Sequence, residues 1–235
     1  MSSRGLSLLA LCGLLGAALL ALALRPRAAP AAIREQPARL AAAPVASAPP
    51  SQPPPSRFSL LSPLRIENQT TRRTLTTRLY DASGVLDEAA AAQLDELLCD
   101  ARNPKQLSVG RIDRRTLQLL FKAAYHFAVD EVQVVSAYRK PGRRREGPHG
   151  TGAAIDFRLP NVSASLLASY LRELPRTGVG VYTHPKTQYV HLDSREHSFH
   201  WLDASPPRRR WREKSIGAAD LAQRDASYSA LSDLP

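Results

Sequence analysis

The chain has 235 residues, 43% of them hydrophobic, and a formal net charge of +11. That is enough for one domain with a true core plus appendages, and it excludes a fully disordered chain. The only cysteines are Cys12 and Cys99, the first inside an apolar N-terminal run, so a disulfide framework is excluded. The basic balance favours an anionic partner: nucleic acid, acidic lipid or an anionic wall polymer.

Residues 5–24 are uncharged and rich in Leu and Ala, with Arg4 before them and Arg25 just after. Such a run is an export signal or a retained signal anchor, long enough to span a bilayer and to tether the protein to a membrane. Residues 1–25 are therefore set apart from the fold. Cys12 is a poor lipoprotein cysteine, because Leu11 precedes it where a small residue is needed. Residues 26–57 are Ala/Pro-rich, hold a good share of the nineteen prolines and show no apolar period. They predict a disordered linker stiffened by polyproline II geometry.

Order is predicted from about Leu64. Residues 64–67 and 74–80 form two strands around a polar turn at 68–71. Ala91, Leu94, Leu98 and Ala101 recur at helical spacing, which predicts a helix over 87–101. Asp113 caps a second helix whose apolar face is Leu117, Leu120, Phe121 and Ala124. Residues 132–136 form a buried strand, and residues 153–157 another that holds Asp156. An amphipathic helix over 163–174 stops at Pro175. Two strands, 178–182 and 189–193, pair as a hairpin around 183–188. Strands that first alternate with helices and then close in a hairpin imply an α+β fold, with a small, mainly antiparallel sheet that carries the functional site on one face. The domain is placed at 64–201. Beyond it, residues 205–235 carry a basic cluster around Trp211 and are predicted to be a disordered basic tail.

The chemistry concentrates in two stretches. His149 is followed by Gly150, Gly152 and then Asp156, and His191 lies within Val190-His191-Leu192-Asp193. Zinc takes imidazole nitrogen and carboxylate oxygen, and a catalytic site leaves its fourth position to water. Gly150 and Gly152 are predicted to let the backbone pass close to such an ion. On a strand, His191 and Asp193 share one face.

The ordered set Ser136-Ala137-Tyr138-Arg139, His149…Asp156, Gly178-Val179-Gly180 and Val190-His191-Leu192-Asp193 resembles the zinc D-Ala-D-Ala metallopeptidases, the superfamily of VanX-type dipeptidases and the hedgehog domain. Its nearest branch is that of the YcbK-like murein endopeptidases. The resemblance implies that His149, Asp156 and His191 hold zinc and that Arg139 contacts substrate carboxylate or oxyanion. VanX-type relatives place a glutamate base three residues before the last histidine, where this chain has Gln188. Asp193 is then the candidate base or an orienting group for a ligand, with His184 and His197 as lesser candidates. The short basic connection between Arg139 and His149 departs from the family pattern.

These features imply an exported zinc metallopeptidase that hydrolyses amide bonds in peptidoglycan stems or cross-links, as an endopeptidase or carboxypeptidase. The expected place is the periplasm or cell envelope, and the expected state a monomer with no nucleic-acid partner. Two alternatives stay open: an inactive zinc-containing peptidoglycan-binding module, and a metal-free basic protein of the envelope.

Overall fold

The computed structural model describes residues 56–235, apart from 104, 143–146, 208 and 210–212. The apolar run at 5–24 and the Ala/Pro-rich segment up to residue 55 lie outside them, as does the export or anchor assignment. Among the described residues no helix is long and apolar enough to cross a membrane.

A 3₁₀ turn at Arg57–Leu60 leads into β1 (Leu64–Asn68) and β2 (Thr74–Thr77), the predicted hairpin. Helices α1 (Glu88–Leu97) and α2 (Arg114–His126) follow, then β3 (Glu131–Ser136) and β4 (Ala154–Arg158). Helix α3 (Ala164–Arg172) precedes β5 (Thr177–Tyr182), β6 (Tyr189–Ser194) and β7 (Phe199–Asp203). The eight-stranded sheet ends with β8 (Glu213–Ile216), in the order β2-β1-β3-β4-β6-β5-β7-β8.

Each main helix begins where the sequence offers a cap. Asp87 accepts from the amides of Ala89 and Ala90, Asp113 from Thr116, and Ser163 from Leu166. Such caps satisfy amides that have no partner within the helix. The first helix stops at Leu97, short of the expected residue 101, because Asp100 turns away to bridge Ser108.

The fold is α+β as expected, but the sheet is mixed rather than mainly antiparallel. β1 runs parallel to β3 and β5 parallel to β7, while the other neighbours are antiparallel. The physical reason lies in the connections. Helices α1 and α2 intervene between the first hairpin and β3, so the chain crosses over and returns in the same direction. β7 passes beyond β6 to reach the free edge of β5.

One sheet face is the core. Ile66, Val132, Val134, Ile155, Phe157, Val179, Val181, Val190 and Leu192 are buried, packed with Leu94, Leu98, Leu117, Leu120, Phe121, Leu167 and Leu171 from the helices. Each such side chain contributes about 1.5–3 kcal/mol by leaving water. Because strand side chains alternate, the intervening residues of β4, β5, β6 and β7 all face the other way. That second face carries Asp156, Gly178, Gly180, Tyr182, Tyr189, His191, Asp193, Phe199 and Trp201.

The end of the chain corrects the prediction of a disordered tail. It supplies β8, helix α4 (Leu221–Ala226) and a 3₁₀ turn at Ala230–Asp233. Asp225 accepts from the amide and hydroxyl of Ser198, both at 2.6 Å, and from the amide of Arg176 at 2.5 Å. Asp233, 1% exposed, accepts from Arg115 Nε at 2.8 Å and from the Tyr228 hydroxyl. Arg115 and Arg176 both stack on the Tyr228 ring. The sequence offered no apolar period here because polar contacts to distant residues, not an amphipathic stripe, hold the segment.

Asp225→Ala is expected to lower stability in urea unfolding by about 1–3 kcal/mol, the cost of leaving buried donors unmet. Asp220→Ala serves as the control, since Asp220 is largely exposed and pairs only with Arg224 on its own helix; it should change stability far less.

Candidate metal centre

His149, Asp156 and His191 converge: one ligand-type atom from each lies within 4.8 Å of the others. Two of the three are placed by register. Asp156 on β4 is the direct antiparallel partner of His191 on β6, so their side chains leave the sheet together. His149 arrives from the loop after β3, which is tied down by Arg139 N–H to His149 O at 3.0 Å and Ala153 N–H to Pro148 O at 2.8 Å.

The hydrogen bonds set the tautomers. His149 Nδ1 lies 2.6 Å from the Ala137 carbonyl, which can only accept, so Nδ1 carries the proton. Its Nε2 sits 3.3 Å from Asp156 Oδ1. His191 stands between two carboxylates, with Nδ1 2.9 Å from Asp156 Oδ1 and Nε2 2.9 Å from Asp193 Oδ2. Burial alone would lower its pKa, but the hydrogen bonds that the ring donates to these carboxylates outweigh that and raise it to about 9. Burial likewise works against the Asp156 charge, and the two histidines overcome it, holding the carboxyl well below its usual range. Asp156 Oδ2 accepts from Arg139 Nη2 at 2.7 Å, and Arg139 Nε donates to Ser136 Oγ at 2.9 Å.

Asp193 lies behind His191. It is 1% exposed, and besides His191 it accepts from Arg195 Nε at 2.6 Å and from Arg195 Nη2. Its pKa is lowered, because His191 and Arg195 offset the effect of burial. It borders a shallow recess with Thr151 and Ser194 rather than the main cleft. That cleft, of about 1120 Å³, is lined by Arg139, His149, Asp156, Tyr189, His191 and Trp201 among others. His184, His197 and Gln188 are not part of its wall; His184 Nδ1 accepts from the Lys186 amide at 3.2 Å, and Gln188 is exposed. Arg143, Arg144 and Arg145, the basic stretch before His149, fall outside the described residues.

The glycines explain themselves differently from the sequence expectation. Gly152 has φ +78°, and a Cβ there would strike the Arg111 carbonyl, so its constraint is the turn and the neighbouring backbone rather than passage beside a metal. Gly178 and Gly180 on β5 are the glycines next to the site. A Cβ on Gly178 would collide with the Asp193 carboxylate and the Arg195 guanidinium, and one on Gly180 with the Trp201 indole. The missing side chains leave room for the Asp193–Arg195 pair and for Trp201, whose ring centroid is 5.0 Å from that of His191. Arg195 and Trp201 were missed as site residues. For Arg195 a signal existed: it stands two residues past Asp193, as Asp193 stands two past His191. Trp201 could be placed only by the β5–β7 pairing, in which it faces Gly180.

The family model described as Peptidoglycan L,D-endopeptidase MepK matches residues 61–201. No curated protein and no solved structure matches the chain. The chain belongs to that family of peptidoglycan peptidases, within the zinc D-Ala-D-Ala carboxypeptidase and VanX-type superfamily.

Gly180→Ala should push the Trp201 ring away from His191 while leaving the protein folded. The expected outcome is a changed near-UV circular dichroism and tryptophan emission with an unchanged far-UV spectrum. Unaltered tryptophan signals would mean that β5 shifts instead of the indole.

Proposed function

We propose that this member of the peptidoglycan L,D-endopeptidase family is an exported, zinc-dependent endopeptidase that hydrolyses amide bonds in peptidoglycan peptide stems or cross-links. The observation that carries the proposal is the convergence of His149, Asp156 and His191 within 4.8 Å at the wall of a large cleft. The donor set suits zinc: two imidazoles and one carboxylate, each oriented by a further hydrogen bond. His149 would bind through Nε2, since Nδ1 is committed to Ala137. His191 would bind through Nδ1, with Asp193 holding the proton on Nε2. Asp156 would bind through Oδ1, with Oδ2 kept by Arg139.

Zinc held there supplies a Lewis acid and lowers the pKa of water. The remaining work falls to the chain. Arg139 has Nε on Ser136 and Nη2 on Asp156, which leaves Nη1 for a substrate oxygen, a task suited to a planar guanidinium. Asp193 is buried, doubly committed to Arg195 and outside the cleft, so we assign it to orienting His191 rather than to taking a proton from water. His184, away from the cleft wall, is given no part in the reaction. Trp201 and Tyr189 close the sides of the cleft and limit water around the ligands.

Endopeptidase action is favoured over carboxypeptidase action by the run of the cleft. Its wall extends from Arg102 and Lys140 on the β3 side to Asp203 and Glu213 on the β7–β8 side. In the sheet the ligand-bearing strands β4 and β6 lie between those two ends. A substrate can therefore continue past the cut bond in both directions. Export and a membrane tether are proposed from residues 5–24 alone.

His149→Ala and His191→Ala are expected to lose zinc on metal analysis of the purified full-length protein. Asp193→Asn should reduce zinc affinity and muropeptide turnover together, by roughly 10–100-fold, as for loss of an orienting carboxylate. A fall in turnover with zinc fully retained would instead make Asp193 the base. His184→Ala should leave both unchanged. Zinc retention without any turnover of cross-linked muropeptides would favour the inactive binding module.

A further inference from the structure

Beside the metal cleft lies a second hollow of about 340 Å³, which shares Arg102, Lys140 and Pro141 with it. Its construction is unusual for a loop. Asp100, 7% exposed, accepts from the Arg102 amide at 3.0 Å, from Arg102 Nε at 2.9 Å and from Arg102 Nη2 at 2.6 Å. The same carboxylate accepts from the Lys140 amide at 2.8 Å, and Arg102 Nη2 also donates to the Lys140 carbonyl at 3.0 Å. One buried carboxylate thus joins the segment after α1 to the segment after β3. The loop that carries Arg102 is itself closed by two backbone hydrogen bonds between Asp100 and Ser108, at 2.7 and 3.1 Å.

The charges do not cancel. The hydrogen bond from Arg102 holds the Asp100 carboxyl down to about 2, so it stays ionised at any working pH. Its charge is matched by Arg102. The Lys140 ammonium has no ion-pair or hydrogen-bond partner among the described residues, and its side chain is exposed at the mouth of the hollow. The Arg102 side chain stays 61% exposed, and its Nη1 has no partner among the described residues. Two neighbouring cations with free donors, Arg102 held by Asp100 and Lys140 unbalanced, form a site for an anion. The hollow shares Arg102, Lys140 and Pro141 with the cleft, so a ligand held in the cleft can reach it.

We propose that the Arg102–Lys140 hollow is a carboxylate subsite, which takes a free acid group of the peptide remote from the bond that is cut. This assignment rests on the cleft being a peptidoglycan-peptide site, as proposed above, and names the feature of the substrate that the chain selects. Asp100 is the positioning residue: it touches no substrate, holds the Arg102 guanidinium and ties the backbone at Lys140 to the segment that carries Arg102. A carboxamide in place of the acid can accept a hydrogen bond but loses the charge-assisted part of the interaction. It would also bring an amide NH₂ against the ammonium of Lys140.

Two otherwise identical muropeptides, one with free peptide carboxylates and one with them amidated, provide the test. Binding to the zinc-loaded full-length protein is measured by calorimetry, separately from hydrolysis. The wild-type protein should bind the free acid more tightly by roughly 10–100-fold, the span expected for a charge-assisted hydrogen bond. Lys140→Gln and Arg102→Gln should each flatten that ratio while retaining zinc and affinity for the amidated form. Lys140→Arg should restore it. Equal binding of the two muropeptides by the wild type, or an undiminished ratio in both glutamine variants, would overturn the subsite. Discrimination retained without hydrolysis would remove the catalytic assignment and leave the subsite standing. Absence of binding to either muropeptide would overturn both.

Discussion

The register between β4 and β6 is the constraint on which the site depends. Asp156 faces His191 directly across the antiparallel pair, and a slip of one residue would turn both to the helix-covered face. What prevents the slip is the apolar alternation on the same strands. Ile155 and Phe157 on β4, and Val190 and Leu192 on β6, are all fully buried beneath the helices. The core and the site are thus two faces of one pattern, and the hydrophobic effect that folds the sheet also aims Asp156 and His191.

A second layer makes that arrangement rigid. His191 is gripped on both ring nitrogens, Asp193 by Arg195, and Asp156 by Arg139. Gly178 and Gly180 keep β5 low enough for this layer to fit above it. The end of the chain takes part from a distance. Asp225 binds Ser198, the residue just before β7, and β7 carries Trp201 against His191. Like-signed or unpaired charges at such depth would be costly, but Asp156 and Asp193 each meet an arginine, and Asp225 meets several donors.

The distribution of positive charge gives the net +11 a local meaning. Arg102, Arg139, Lys140, Arg195 and Arg209 all border the main cleft, against Asp156, Asp203 and Glu213. A cleft lined mainly by one sign of charge concentrates ligands of the other. The C-terminal basic cluster, read from sequence as part of a disordered basic tail, contributes Arg209 to this wall.

The sequence by itself determined the local elements, because caps and apolar spacing are written over a few neighbouring residues. Asp113 before Leu117, Leu120, Phe121 and Ala124 was enough to place α2, and the alternation around His191 to place β6. It also marked the donor set, since His149, Asp156 and His191 stand in an ordered pattern that short-range spacing preserves. The tertiary structure alone decided the rest. Parallel pairing of β1 with β3 and of β5 with β7 depends on where crossovers land, which no local period records. Whether Asp193 faces the cleft or the back of His191 depends on Arg195 and on the space left by Gly178. The order of residues 213–235 depends on Asp225 and Asp233 meeting Ser198, Arg176 and Arg115, partners far away in the chain. A polar contact between distant residues leaves no periodic trace in either segment, and for that physical reason the C-terminal segment read as a tail until it was folded.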